Sequence, residues 1–200
     1  IVISPLKSLM LDQVRQLKER GVDFVEYINS DLSQIQKQDI LESIQKRKTS
    51  ILYVSPEFLL AYDIRALVGN TRKIGLIVVD EAHLVTTWGR DSRIDYWYLG
   101  SYIKKLRDNR YKGSSDPFVV AAFTATAVYG GNDDMVFETI ASLNMLNPIK
   151  FLGNTRRDNI GFKISTWDKR QSYEEERLRL TLGRIKELVS RNRKTIVYAP

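Results

Sequence analysis

Val78-Val79-Asp80-Glu81-Ala82-His83 is the segment of this 200-residue chain whose side chains are best suited to chemistry. An apolar run that ends in a carboxylate delivers that carboxylate to the rim of a sheet. There Asp80 can hold Mg²⁺, directly or through water, beside the phosphates of a nucleotide. Glu81, one residue on, is placed to orient or deprotonate an attacking water. The same pair also suits a purely structural role, since carboxylates favour the start of a following helix. Composition narrows the field. The chain has no cysteine, and His83 is its one histidine. Disulfide scaffolds, thiolate zinc sites, thiol nucleophiles and multi-histidine metal centres are thereby excluded.

Three further segments place polar groups where an apolar run ends. Ile3-Ser4-Pro5-Leu6-Lys7-Ser8 and Val54-Ser55-Pro56-Glu57 both read as strand, Ser-Pro, helix. Serine is expected as the N-cap, with proline at the first helical position, where its fixed φ fits and its missing N–H costs nothing. The remaining N–H groups would form a site for a phosphate of nucleotide or nucleic acid, and the plainer alternative is two well-capped helices. In Phe123-Thr124-Ala125-Thr126-Ala127, hydroxyls at a tight strand exit are within plausible reach of the Asp80–Glu81 loop.

Trp88-Gly89-Arg90-Asp91-Ser92-Arg93-Ile94-Asp95-Tyr96 follows the acidic pair closely. Indole faces stack on bases, and arginines contact phosphates or stack as planar cations. Trp88, Arg90 and Arg93 are therefore nucleic-acid candidates, whereas Tyr98 and Tyr102, four apart, are expected to pack beneath a helix.

These residues need a scaffold, and the periodicity supplies one. Strands are expected at 1–4, 24–28, 51–55, 74–80, 118–124, 149–152, 162–167 and 195–199, with helical spacing of Leu6, Leu9, Met10, Val14 and Leu17, and again of Leu178, Leu182, Ile185 and Val189. Alternating strands and helices imply an α/β fold with a doubly wound parallel sheet, and such sheets bind ligands beyond the carboxyl ends of their strands. The nearly continuous apolar run 74–79 is expected to be covered on both faces. A boundary is expected near Asn147-Pro148 and the polar stretch 153–159. Residues 1–149 balance at 18 basic and 18 acidic side chains, and the whole excess of +7 lies in 150–200. The Glu174–Glu176 and Arg177, Arg179, Arg184 mixture there is ordinary solvated helix patterning. No apolar run approaches the roughly 18 residues of a membrane helix. Both ends are expected to cut through or beside strands of a longer protein, so the lack of a targeting signal carries no information.

Taken in order, these segments resemble the superfamily-two helicases, and within them the RecQ type. Residues 4–14 look like motif Ia, Tyr53-Val54-Ser55-Pro56-Glu57 like motif Ib, Asp80-Glu81-Ala82-His83 like motif II and Thr124-Ala125-Thr126-Ala127 like motif III. Residues 144–148 with Arg157-Asp158-Asn159-Ile160 resemble the run into a second domain, and Thr195-Ile196-Val197-Tyr198 the strand opening motif IV. The Trp88 segment is similar to the RecQ aromatic-rich loop, which senses single-stranded DNA. Departures from the family pattern are Arg90 for histidine, Ser92 for phenylalanine, Ile94 for proline and Asp158 for proline.

The resemblance implies a RecA-like fold of the P-loop NTPase type. Residues 1–153 would be a first helicase domain lacking its P-loop segment, and 154–200 a linker and the beginning of a second. It implies a parent ATP-dependent 3′–5′ DNA helicase or translocase with ATP and Mg²⁺ as cofactors. Catalysis would fall to Asp80 (the metal-holding carboxylate), Glu81 and His83, and coupling to Thr124 and Thr126. DNA, at a junction of single strand and duplex, would meet Lys7, Ser8, Ser55, Trp88, Arg90 and Arg93. The G-x-x-x-x-G-K-[ST] loop is expected within about 30 residues ahead of Ile1, and the 200-residue piece alone is expected to be inactive. The parent would act inside the cell, in the cytoplasm of a prokaryote or the nucleus of a eukaryote, in processes such as DNA repair. An RNA helicase, a restriction-type motor and a degenerate nucleic-acid-binding module are the competing readings.

Overall fold

Residues 1–62, 73–86, 94–108, 118–127, 129–131, 134–153, 159–161 and 172–197 are described by a computed structural model. The chain divides into two compact units, Ile1–Gly153 and Asn154–Pro200.

In the first unit, short apolar runs pair side by side, each alternating its residues between the two faces of the sheet. The strands are β1 (Val2–Ile3), β2 (Val25–Ile28), β3 (Ile51–Val54), β4 (Leu76–Val79) and β5 (Val119–Ala122). They form one parallel sheet in the order β2-β3-β1-β4-β5. Helices α1 (Lys7–Glu19), α2 (Gln34–Gln45), α3 (Pro56–Ala61) and α4 (Ile94–Asp108) connect them, with a 3₁₀ turn at Ala82–Val85, and α5 (Met135–Ser142) follows β5. Parallel neighbours demand such crossovers, so the alternating sequence pattern and the doubly wound topology are one fact. Ile3, Val54, Ile77 and Val79 face a core completed by Leu59, Tyr96, Leu99, Ile103 and Leu143. On the opposite face Met10 and Val14 of α1 pack on Val25 and Tyr53.

Local chemistry explains where the helices begin. Ser33 and Gln36 form a reciprocal capping box at α2, the Gln36 N–H donating to Ser33 Oγ and the Ser33 N–H to Gln36 Oε1 at 2.9 Å. Asp134 caps α5, its Oδ1 accepting the Phe137 N–H at 2.8 Å. Gly100 of α4 lies so close to α5 that an added Cβ would stand 1.6 Å from the Ser142 carbonyl oxygen. Asn144 Nδ2 donates to the Gly100 carbonyl, and Arg107 to that of Asn144, which locks the approach.

In the first unit the structure departs from the sequence expectations at five places. Ser4 is not a cap: α1 starts at Lys7, with Leu6 at the N-cap and no side-chain capping bond. Ser55 does occupy the N-cap of α3 ahead of Pro56, yet its hydroxyl does not cap. Covering of β4 is one-sided, with Ile77 and Val79 fully buried and Leu76 45% exposed. α1 lies on the same face as Leu76 but packs on β2 and β3, which leaves Leu76 uncovered. Tyr98 is exposed, because the inward stripe of α4 is Tyr96, Leu99, Gly100 and Ile103. Residues 149–152 are not a strand: Ile149 and Phe151 stand in solvent, 82% and 91% exposed, and pair with no strand among the described residues.

The second unit contains α6 (Tyr173–Ser190), whose Glu176–Arg179 and Arg184–Glu187 pairs line its surface. Residues 195–197 form no strand. The strand expected at 162–167 lies outside the described residues, as do 198 and 199. No helix among the described residues is long and apolar enough to cross a membrane.

Candidate nucleotide-hydrolysis site at the β4 and β5 rim

The sheet ladder does not stop at Val79. The Asp80 N–H donates to the Ile3 carbonyl at 2.9 Å, and the Ala82 N–H to the Phe123 carbonyl at 2.8 Å, so the turn after β4 is held by both neighbouring strands. Between those anchors Glu81 adopts a left-handed conformation, φ 47° and ψ 45°. For a residue with a Cβ this costs on the order of 1 kcal/mol, and strain of this kind is kept where surrounding bonds enforce it. The bonds are visible. The Glu81 N–H donates to Asp80 Oδ1 at 3.0 Å, and the Tyr96 hydroxyl donates to the Asp80 carbonyl at 3.1 Å.

The strained turn brings three predicted residues together. His83 Nδ1 lies 3.0 Å from Thr124 Oγ1 and 3.3 Å from Glu81 Oε2. Thr124 Oγ1 also accepts the Thr126 N–H at 3.3 Å. Thr124 therefore accepts a backbone proton while meeting the imidazole, and with a carboxylate as its second neighbour Nδ1 is assigned as the protonated nitrogen. Glu81, His83 and Thr124 form one chain of contacts from the end of β4 to the end of β5. Asp80 is half-buried at the root of the same turn. Burial, and then the charge of Asp80, push the Tyr53 phenol above its ordinary range.

Chemically, this rim offers two adjacent carboxylates in different settings. Asp80 is tied to the backbone and suits a hard cation. Glu81 points to His83 and is partly open to solvent, which suits an interaction with water. Among the described residues no cluster of three or more His, Asp or Glu side chains could hold a metal by itself. A single carboxylate sharing a cation with phosphate oxygens is the arrangement Mg²⁺ favours, so the donor set fits that ion only together with a nucleotide.

The other predicted residues are spread along the same sheet edge. Ser8 is exposed. Lys7 is engaged, its Nζ 2.5 Å from Asp31 Oδ1 in the loop after β2. Ser55 is buried beside Ser4, whose N–H donates to the Val54 carbonyl, and among the described residues neither hydroxyl has a hydrogen-bond partner. Trp88, Arg90 and Arg93 lie outside the described residues. Sequence reasoning missed Asp31 and Tyr96. Asp31 was findable as a polar residue at a strand's carboxyl end. The role of Tyr96 was not, since a buried tyrosine at helical spacing reads as core.

A family model described as DEAD/DEAH box helicase matches residues 1–130. The ATP-dependent DNA helicase RecQ of Haemophilus influenzae is 34% identical over 164 residues, covering 82% of this chain and 24% of that protein. The probable ATP-dependent DNA helicase RecS of Bacillus subtilis is 36% identical over 165 residues, covering 82% and 30%. The RecQ-like DNA helicase blm-1 of Caenorhabditis elegans is 32% identical over 170 residues, covering 82% and 16%. The chain thus spans less than a third of each of these relatives. With an acidic turn at the carboxyl rim of a parallel α/β sheet and a family match over most of its length, the chain belongs to the DEAD/DEAH box helicases and is a RecQ-like member of them.

Proposed function

We propose that this chain is part of an ATP-dependent DNA helicase or translocase of RecQ type that moves 3′–5′ on single-stranded DNA. The observation that carries this reading is the contact chain Glu81–His83–Thr124, which joins the acidic turn to the neighbouring strand's exit. A turn with only a structural role would need neither the left-handed glutamate nor the imidazole between two strand ends.

Bound Mg²⁺-ATP supplies the phosphoryl group and the charge neutralisation that phosphoryl transfer requires. In this reading Asp80 holds the cation through its carboxylate. Glu81 orients the attacking water and takes its proton at a carboxylate oxygen. His83 keeps the Glu81 carboxylate in place through Nδ1 and passes any displacement to Thr124 and, through the Thr126 N–H, along the β5 exit. Ser8, Lys7 and the Trp88 loop with Arg90 and Arg93 meet the DNA strand. Ser55 lies at the same strand exits but is buried at the start of α3. Residues 154–200 open a second RecA-like domain, and the phosphate-cradling loop precedes Ile1 in the parent.

The test is single-stranded-DNA-stimulated ATP hydrolysis by the full-length protein, with and without Glu81→Gln. Loss of turnover with ATP binding retained supports the assignment, and undiminished turnover overturns it. The 200-residue chain alone is expected to show no magnesium-dependent hydrolysis.

A further inference from the structure

We propose that Tyr96 is a positioning residue for hydrolysis, its hydroxyl holding the Asp80–Glu81 peptide in the orientation that presents Glu81. This rests on the reading of Glu81 given above. The side chain is fully buried, yet it carries a hydroxyl into the core, where an unpaired polar group is costly. Its hydroxyl donates to the Asp80 carbonyl at 3.1 Å. The N–H of the same peptide donates to Asp80 Oδ1 at 3.0 Å. One peptide plane is thus gripped on both edges, and that plane sets the φ of Glu81, which stands at 47°.

Rotation of this peptide is the simplest way for Glu81 to leave the left-handed region. It would carry the carboxylate away from His83, which lies 3.3 Å from it. The Asp80 side chain cannot prevent the rotation alone, because it belongs to the same turn and can move with it. Tyr96 can, because it is anchored in α4, whose Leu99 and Ile103 are fully buried in the core. α4 begins at Ile94, directly after the segment carrying Trp88, Arg90 and Arg93.

The experiment compares full-length wild type, Tyr96→Phe and Tyr102→Phe. Tyr102 is the internal control: it lies on the same helix, and its hydroxyl also donates to a backbone carbonyl, that of Tyr62. For Tyr96→Phe, kcat for DNA-stimulated hydrolysis should fall about tenfold, the usual effect of one well-placed hydrogen bond on a rate. KM for ATP and the affinity for a single-stranded oligonucleotide should move less than twofold. Tyr102→Phe should retain wild-type kcat. An unchanged kcat in Tyr96→Phe, or equal losses in both variants, overturns the proposal. Should Tyr96→Phe fold poorly, 4-aminophenylalanine and 4-methylphenylalanine at position 96 replace it, since they match in size and only the former donates a proton. Recovery with the amino group alone supports the proposal, and equal rates overturn it. A wild type lacking DNA-stimulated turnover would instead defeat the helicase reading itself, so the two failures are distinguishable.

Discussion

His83 Nδ1 and Thr124 Oγ1 meet at 3.0 Å although 41 positions separate them, because β4 and β5 are parallel neighbours whose exits lie side by side. The contact is a side-chain link from the acidic turn to the exit of β5, beside the backbone bonds that tie the same turn to its neighbours. If it carries coupling, Thr124→Val and His83→Ala should each lower DNA-stimulated ATP turnover about fivefold, and the double variant should be no worse than either single one. Non-additivity of this kind is the signature of a shared contact. Fully multiplicative losses would show that the two residues act separately.

Glu81→Gln keeps the shape of the side chain and removes its basicity. Turnover in the full-length protein should fall by about two to three orders of magnitude, within the range ascribed to a general base. Binding of a fluorescent ATP analogue should be retained. A variant that also loses the nucleotide would mean that Glu81 serves binding rather than the chemical step.

Lys7 presents its ammonium to Asp31, and both side chains are well exposed to solvent. An exposed pair of this type is worth about 0–1 kcal/mol, so a phosphate can displace the carboxylate. Asp31→Asn should raise affinity for single-stranded DNA about two- to fivefold in low salt. The gain should vanish as ionic strength rises and both attractions are screened. Fluorescence anisotropy across a salt series measures this. No change at any salt concentration would remove Lys7 from the DNA-binding surface.

Gly100 permits the close approach of α4 and α5. A methyl group there would stand 1.6 Å from the Ser142 carbonyl oxygen, a backbone atom that cannot swing aside. Gly100→Ala should destabilise the fold by about 3 kcal/mol, the upper part of the usual range for overpacking. A chemical-denaturation midpoint within error of wild type would contradict the geometry.

Asp134 caps α5 with an ionised carboxylate, and hydrogen bonds from the Phe137, Gly130 and Val136 N–H groups hold its pKa below the ordinary value of 3.8. A group whose folded pKa is depressed contributes stability above its unfolded pKa and loses it as pH falls through the folded one. Asp134→Ala should therefore melt earlier than wild type near neutral pH. The gap should close as the solution is acidified below the ordinary carboxylate range. A gap constant down to strongly acidic pH would assign the capping to shape rather than charge.

The parallel α/β plan was legible in the sequence because its cause is local. Runs such as Leu76–Val79 and Ile51–Val54 are apolar enough to be strands whatever surrounds them, and the spacing along α1 admits only a helix. The acidic turn was legible as well, from the Asp-Glu-Ala-His string at a strand's end. What could not be read was whatever depends on a distant neighbour. Residues 149–152 have strand composition, but pairing needs a partner, and composition does not reveal whether one is present. Ser4 has the chemistry of a cap, yet the chain turns two residues later. The role of Tyr96 was hidden because burial and hydrogen bonding to a turn leave the same helical spacing. The inward stripe of α4 differs from the Tyr98–Tyr102 register for the same reason: several aromatics in succession allow more than one face.

The left-handed backbone at Glu81 sets folding and turnover against each other. A glycine at that position would relax the turn and give up the carboxylate, leaving a sturdier protein that does no work. Random mutagenesis screened only for thermal tolerance should therefore drift toward inactive variants here, and the most heat-resistant substitution at this site should be among the least useful.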